Sequence, residues 1–234
     1  MIRLFVEEKL STGQELSLDE KQAHYIIHVM RQKEGSEILL FNSIDGEFKA
    51  KVCEVKKKSC LLQVFEKTKE FSKRVELILC PALIKKENMD LVLEKATELG
   101  ITKIYPVITN RTVVRGFNIE RARLIVKEAA EQSERLDVPE IFEPVSLKDL
   151  FLKFSKEITP VFLTERGKTG SKLLSEVKNP AFIVGPEGGF TMDEVDFILC
   201  QKNVAPLHLG DTILRAETAS IAILGAWTLV SAGS

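Results

Sequence analysis

Ten residues, Ala181-Phe-Ile-Val-Gly-Pro-Glu-Gly-Gly-Phe190, constrain this chain more than any others. Four apolar residues run into a glycine-rich turn, which reads as a buried strand that stops abruptly. Thr191 then stands three residues before Glu194, a capping-box spacing that opens a helix. Strand, tight loop and helix in succession are the parts of an open α/β sheet, where ligands lie at the carboxyl ends of strands. Pro206-Leu-His-Leu-Gly210 repeats the pattern: a short strand ending in glycine. Asp211-Thr-Ile-Leu-Arg-Ala-Glu-Thr-Ala219 then leads into an apolar helix. Two such junctions close together in sequence imply one pocket made from two loops.

Neither loop is a standard nucleotide fingerprint. Gly185-Pro-Glu-Gly-Gly189 is not G-x-G-x-x-G, and no Gly-Lys-Ser/Thr follows it. Its glycines let a backbone approach a ligand closely, and Pro186 stiffens the turn. Glu187 could accept hydrogen bonds from a ligand or from its own backbone. In the second loop, Arg215 at a helix start is placed to meet an anion or a polarised oxygen. The plainer alternatives are a bare β–α turn, a surface ion pair for Arg215, and a Glu217 that only complements the helix dipole.

The rest of the chain divides in two. Residues 1–70 read as short strands with tight turns: Ile2 to Val6, Ile38 to Phe41, Glu47 to Val55 and Cys60 to Phe65, with Asp45-Gly46 as a hairpin turn. A helix capped by Ser17, in Ser17-Leu-Asp-Glu20, is expected through about Arg31. This suggests a small β-barrel. A polar linker near residues 68–73 precedes residues 74–234, where strands alternate with helices. Strands are expected at 75–80, 101–107, 159–164, 181–184 and 206–209. Helices are expected at 87–99, 118–136, 146–154 and 171–177, then after Thr191 and after Arg215. Alternation of this kind implies a mostly parallel sheet with helices on both faces, an α/β fold.

Composition narrows the partners. Lys+Arg total 33 and Asp+Glu 34, so no global charge marks a nucleic-acid binder. Locally, residues 101–127 carry six positive charges and one negative, whereas residues 176–234 carry three positive and seven negative. The basic stretch includes Arg111, Arg115, Arg121 and Arg123, suited to phosphate contact or simply to a solvated face. Aromatic residues are sparse in it. The four cysteines lack C-x-x-C spacing and read as free, buried thiols in a reducing compartment. His24 and His28, four apart, have no evident third ligand, and no metal site is expected. Met1-Ile-Arg-Leu-Phe-Val is a strand rather than a signal peptide, and no apolar run reaches the ~20 residues of a membrane span. A cytoplasmic protein is expected.

Taken together, these motifs resemble the SPOUT-superfamily methyltransferases that modify uridine N3 in 16S rRNA. The resemblance rests on Gly185 to Phe190 and on Leu209 to Ala219. Lys95-Ala-Thr-Glu-Leu-Gly100, Asn110-Arg-Thr-Val-Val114 and Glu128-Ala-Ala-Glu-Gln-Ser133 with Arg135 add to it. Arg3-Leu-Phe5, His24 to Arg31 and Phe41 to Gly46 are similar to that family's PUA-like RNA-binding barrel. The Asp211-Thr212 pair falls where family members vary.

The resemblance implies S-adenosylmethionine as cofactor, a C-terminal domain with a deep trefoil knot, and a homodimer. It places the cofactor on three loops: Leu163, Thr164 and Glu165; Ile183, Gly185, Pro186, Glu187 and Gly188; and Leu209, Gly210, Ile213, Leu214, Thr218 and Ala219. It implies that Arg215 stabilises the uracil oxygens and that Glu217 orients it, with Glu131 or Glu165 as proton acceptor. Arg3, Arg31, Arg111, Arg115 and Arg135 would grip RNA of the 30S subunit. Ribose 2′-O methylation and a non-catalytic, RNA-binding role in ribosome assembly remain the alternatives.

Overall fold

The computed structural model describes residues 1–56, 58–114, 116–164 and 174–232. The chain forms two compact units. The first holds Met1–Lys73 together with Ala130–Val138, and the second holds Arg74–Ala129 and Pro139–Ser234.

The first unit is built on a five-stranded sheet. Its elements are β1 (Arg3–Phe5), β2 (Glu15–Ser17), α1 (Glu20–His24), β3 (Glu37–Asn42), β4 (Gly46–Val55) and β5 (Cys60–Lys69). The strand order is β1-β3-β4-β5-β2, so the pairing among described residues is that of an open sheet rather than a closed barrel. β1 runs parallel to β3, and the other ladders are antiparallel. Period-two burial explains the core: Ile38 and Leu40 on β3, Phe48, Ala50 and Val52 on β4, and Cys60, Leu62 and Val64 on β5 form one cluster with Leu4 and Ile26.

Two local expectations change here. Ser17 does not cap the first helix, because its backbone is committed to β2 pairing with β5. Asp19 caps instead, its Oδ1 accepting the Gln22 N–H at 2.7 Å. The helix also does not continue regularly to Arg31. It passes into a π-helical turn, Tyr25–Val29, and the backbone enters the left-handed region at Arg31 (φ 52°).

The second unit contains β6 (Ile78–Pro81), α2 (Lys86–Glu98), β7 (Lys103–Ile104), β8 (Val107–Ile108), α3 (Ile119–Gln132, whose last residues group with the first unit), β9 (Glu140–Ile141), β10 (Val145–Ser146), α4 (Leu147–Lys153), β11 (Thr159–Thr164), β12 (Pro180–Val184), α5 (Met192–Leu199), β13 (Ala205–His208) and α6 (Ala216–Ala232). Six strands form one sheet in the order β13-β11-β12-β6-β7-β9, and every ladder is parallel. The expected strand over 101–107 is two pieces. Pro106 separates them, and β8 leaves the main sheet to pair with β10. The expected helix over 171–177 is, in its described part, a 3₁₀ turn at Leu174–Glu176.

Helices cover both sheet faces, as β12 makes plain. Ala181 and Ile183 pack with Leu147 and Leu150 of α4 and Ile198 of α5. Phe182 points the other way and meets Trp227 of α6 edge-on, ring centroids 6.2 Å apart. A strand buried on both faces must be apolar throughout, which is why the run 181–184 shows no alternation.

Candidate active site

Three neighbouring strands, β13, β11 and β12, end side by side at the carboxyl edge of the parallel sheet. Thr164 lies level with His208, and Leu163 with Leu207. The Thr164 hydroxyl reaches the Leu207 carbonyl at 3.4 Å, and His208 Nδ1 donates to the Thr164 carbonyl at 3.0 Å. His208 therefore ties two strand ends together. The loops that follow β12 and β13 carry Gly185 to Gly188 and Leu209 to Arg215, so parallel pairing brings the two glycine loops to one edge. Glu165, directly after β11, and Arg115 lie outside the described residues.

The loop after β12 is braced from several sides. Pro186 is buried, Glu187 and Gly188 face solvent, and the turn closes by the Gly189 N–H donating to the Pro186 carbonyl at 2.9 Å. Gly189 takes a positive φ of 68°. A Cβ on Gly185 would stand 2.8 Å from the Phe190 ring, so the close fit of that ring needs glycine there. Thr191 and Glu194 make the full capping box. Glu194 is buried, and its second oxygen accepts the Asn110 N–H at 2.8 Å. Arg111 completes the brace, Nη1 donating to the Gly188 carbonyl at 2.7 Å. The segment expected to grip RNA is thus anchored on the glycine loop through both Asn110 and Arg111. Sequence reasoning missed this use, since Glu194 could be read as a local cap and nothing local reveals its third partner.

The loop after β13 is the opposite. Gly210 has a φ of 119° and is exposed, Ile213 is exposed, and Leu209 and Leu214 are half-buried. Arg215 is 82% exposed in its side chain, and its nearest carboxylate contact is Glu217 Oε1 at 4.0 Å. Glu217 is buried, and its Oε2 has no hydrogen-bond partner among the described residues. An orphaned buried oxygen costs about 1–3 kcal/mol unless something donates to it. The first turn of α6 therefore presents an unsatisfied acceptor beside an open guanidinium, with Thr218 exposed and Ala219 half-buried next to them. That donor-and-acceptor set, with glycines that allow close backbone approach, suits a ligand bearing amine, amide-like and carboxylate groups, as S-adenosylmethionine does.

Several residues expected at the site serve elsewhere. Arg3, expected on RNA, is sealed in the first unit. Its Nε donates to Glu47 at 2.7 Å, and its other nitrogens donate to the carbonyls of Ala130, Glu131 and Arg135. Its guanidinium also lies 4.3 Å from the Phe41 ring centroid. Arg135 is buried too, paired with Asp137 at 2.8 Å. Neither has a face left for a phosphate, and both hold residues 130–138 in the first unit. Glu131, expected as proton acceptor, belongs to that unit, where its Oε1 accepts the Phe5 N–H at 3.0 Å. In the basic stretch, Arg121 pairs with Asp90 at 2.7 Å and Arg123 with Glu120 at 2.6 Å. Arg31 is exposed, in the first unit's left-handed turn.

The cysteines also divide. Cys60 and Cys80 are buried, and burial pushes the Cys80 thiol well up, so it stays protonated. Cys53 and Cys200 are exposed, contrary to the expectation that all four are buried. Among the described residues no cluster of three or more His, Cys, Asp or Glu could hold a metal, and no helix is long and apolar enough to cross a membrane.

Known proteins resemble the chain over nearly its whole length. An RNA methyltransferase domain matches residues 71–228, and an RNA methyltransferase PUA domain matches residues 18–65. Ribosomal RNA small subunit methyltransferase E of Rickettsia conorii is 37% identical over 94% of this chain and 91% of its own length. The Bacillus subtilis protein of the same name is 30% identical over 97% and 95%. The crystal structure of the Neisseria gonorrhoeae enzyme of that name, bound to S-adenosylmethionine, superposes with a TM-score of 0.89 over 98% of both chains at 28% identity. A Legionella pneumophila methyltransferase in complex with the same cofactor gives 0.86 at 28% identity, over 99% of this chain and 97% of its own. An N-terminal PUA-like sheet followed by an all-parallel sheet of SPOUT type, with these relatives, has one meaning: the chain belongs to the ribosomal RNA small subunit methyltransferase E family.

Proposed function

We propose that this protein methylates the N3 atom of a uridine in 16S rRNA, drawing on S-adenosylmethionine. The observation that carries the reading is the pair at the start of α6, an open Arg215 beside a buried Glu217 with an orphaned oxygen. Two solved relatives hold S-adenosylmethionine, and the loops after β12 and β13 follow strands on either side of β11. Leu163, Thr164 and Ile183 would form the apolar floor. Gly185 to Gly188, Leu209, Gly210, Ile213 and Leu214 would supply backbone contacts, with Thr218 and Ala219 at the helix start. The cofactor supplies an electrophilic methyl group on sulfur.

The chain's own residues must make uracil a nucleophile. N3 carries an imide proton, and the anion left by its departure spreads onto the two flanking carbonyl oxygens. A guanidinium aimed at either oxygen favours that anion, and preorganised donors of this kind are worth about 10²–10³ in rate. Arg215 is exposed and so is available to the base. Glu217 at 4.0 Å restrains it without a tight ion pair that would compete. Glu131 is spoken for by Phe5 N–H, so the proton acceptor is better sought in Glu165 or in solvent.

A homodimer fits the apolar α6, whose Leu229 is 79% exposed. A target in the 30S subunit fits a cytoplasmic protein. Labelled S-adenosylmethionine incubated with undermodified 30S subunits or naked 16S rRNA, followed by nucleoside analysis, tests the reading. Label in 3-methyluridine is expected. Label in a ribose-methylated nucleoside, or no transfer with no cofactor binding by calorimetry, refutes it.

A further inference from the structure

The turn over residues 109–112, which follows β8, is locked from within and from without. Within it, the Thr112 N–H donates to the Thr109 carbonyl at 3.1 Å, the Thr109 N–H donates to the Thr112 hydroxyl at 2.9 Å, and the two hydroxyls lie 3.0 Å apart. From without, Glu194 holds Asn110, and the Gly188 carbonyl holds Arg111. The Arg111 stem also packs on that glycine: a Cβ on Gly188 would stand 3.4 Å from the Arg111 Cβ. Directly after this fixed turn comes Val113, 88% exposed. A lone apolar side chain on a surface is ordinary. This one follows a braced backbone, and its β-branched side chain is stiff at χ1, so it projects as a short, fixed, apolar peg.

What the peg meets follows from its place. Val113 is two residues from Arg111, a reach of at most about 7 Å. Arg111 in turn touches Gly188, in the loop assigned to the cofactor. From Ile108 to Asn118 the sequence has two arginines and no carboxylate, a charge that suits a phosphate backbone. Arg111 is itself exposed and spends Nη1 on Gly188, which leaves donors for a phosphate. Uridine N3 lies on the Watson–Crick edge, and a base must leave its stack before that edge can enter a pocket. The nucleotide turns about its own backbone, so the gap it leaves stays beside the pocket it enters. We propose that Val113 is a wedge: it enters that gap, packs on the bared face of the neighbouring base and keeps the target uridine from restacking, while Arg111 holds a phosphate. Apolar side chains inserted at unstacked steps act in this way in proteins that kink nucleic acids. The wedge rests on the uridine-methylating reading and adds a positioning residue to it, one that holds the substrate without touching the methyl donor or N3.

The full-length parent protein and its Val113→Ala, Val113→Ile and Val113→Asp variants are assayed with labelled S-adenosylmethionine on undermodified 30S subunits, followed by nucleoside analysis. Cofactor affinity, thermal unfolding and sedimentation are measured on the same samples. Val113→Ala removes two methyl groups, and kcat/KM should fall about tenfold. Val113→Asp, which sets a carboxylate among phosphates, should fall further. Val113→Ile keeps a branched apolar peg and should match the parent. Cofactor affinity and the unfolding midpoint should stay put in all three, because the side chain lies largely in solvent. A Val113→Asp protein that transfers as well as the parent overturns the wedge. So does a loss of cofactor affinity in Val113→Ala, which would make Val113 part of the cofactor site. A smaller sedimenting species in Val113→Asp also overturns it, since the peg would then be a contact between two copies of the chain. A parent protein that puts no label in 3-methyluridine defeats the underlying reading and takes the wedge with it, whereas the first three outcomes with an active parent remove the wedge alone.

Discussion

Two arginine–glutamate pairs in this protein are built in opposite ways. Arg3 and Glu47 meet at 2.7 Å with side chains 4% and 2% exposed. Arg215 and Glu217 approach only to 4.0 Å, with side chains 82% and 10% exposed. In the first pair the arginine is saturated by a carboxylate, three carbonyls and the face of Phe41. In the second, the arginine is exposed and the glutamate keeps an oxygen with no hydrogen-bond partner among the described residues. A saturated buried pair fixes architecture. An unsaturated pair at the edge of a parallel sheet leaves a donor and an acceptor open, and leaving them so costs stability in the free protein.

The strongest way to break this contrast is Glu47→Ala. It strands the Arg3 guanidinium in the core and should cost about 3–5 kcal/mol by denaturant unfolding. The same pair has a pH signature. Burial alone would raise the Glu47 carboxyl, but the hydrogen bonds from Arg3 and Thr68, with their nearby charge, outweigh it and hold it below the ordinary value. A depressed carboxylate stabilises fully above its unfolded value, and that contribution is lost as pH falls through the lower folded value. Acid titration of stability should therefore be less steep in Glu47→Gln than in the parent below about pH 4.5. Equal slopes would mean that the pair contributes nothing.

Arg215→Ala comes next. Methyl transfer should fall about 100-fold or more while the unfolding midpoint stays put, because the side chain is largely in solvent. Full turnover with normal cofactor binding would remove Arg215 from the chemistry and collapse the contrast. Glu217→Met should move stability the other way. Replacing the orphaned carboxylate by a thioether of similar length should stabilise the free protein by about 1 kcal/mol and weaken transfer. A destabilised variant would mean that Glu217 is satisfied in solution. Arg111→Ala should have the smallest effect, under about 1 kcal/mol on folding, with a severalfold loss of S-adenosylmethionine affinity as the Gly188 carbonyl loses its donor.

Local signals were legible and long-range ones were not. The capping box at Thr191 and Glu194, the Asn118 and Ser146 caps, and the C-terminal Gly100 with φ 91° all lie within a few residues and stand where the sequence puts them. The parallel order of the sheet followed from strand–helix alternation. What failed depended on partners far along the chain. Arg3 and Arg135 were expected on RNA through the family resemblance, which carries no burial, and Arg3 is buried by residues 127 to 132 positions away. Likewise, the split at Pro106 needed β10 to compete for the second half of that strand. At the candidate site the glycine loops and Arg215 could be found, but the Asn110–Glu194 and Arg111–Gly188 braces could not.

The first unit is discontinuous, since residues 74–129 intervene between its two segments. That has a consequence for the order in which the protein is made. The carbonyls of Ala130, Glu131 and Arg135 that surround Arg3 leave the ribosome only after 56 further residues have been added to Lys73. At about 5–20 residues per second, this is a wait of roughly 3–11 s. During that interval the nascent N-terminal sheet holds an arginine with its carboxylate but without its main-chain acceptors. The first unit therefore reaches its final form only once residues 74–129 of the second have been synthesised, which links the maturation of the two in time.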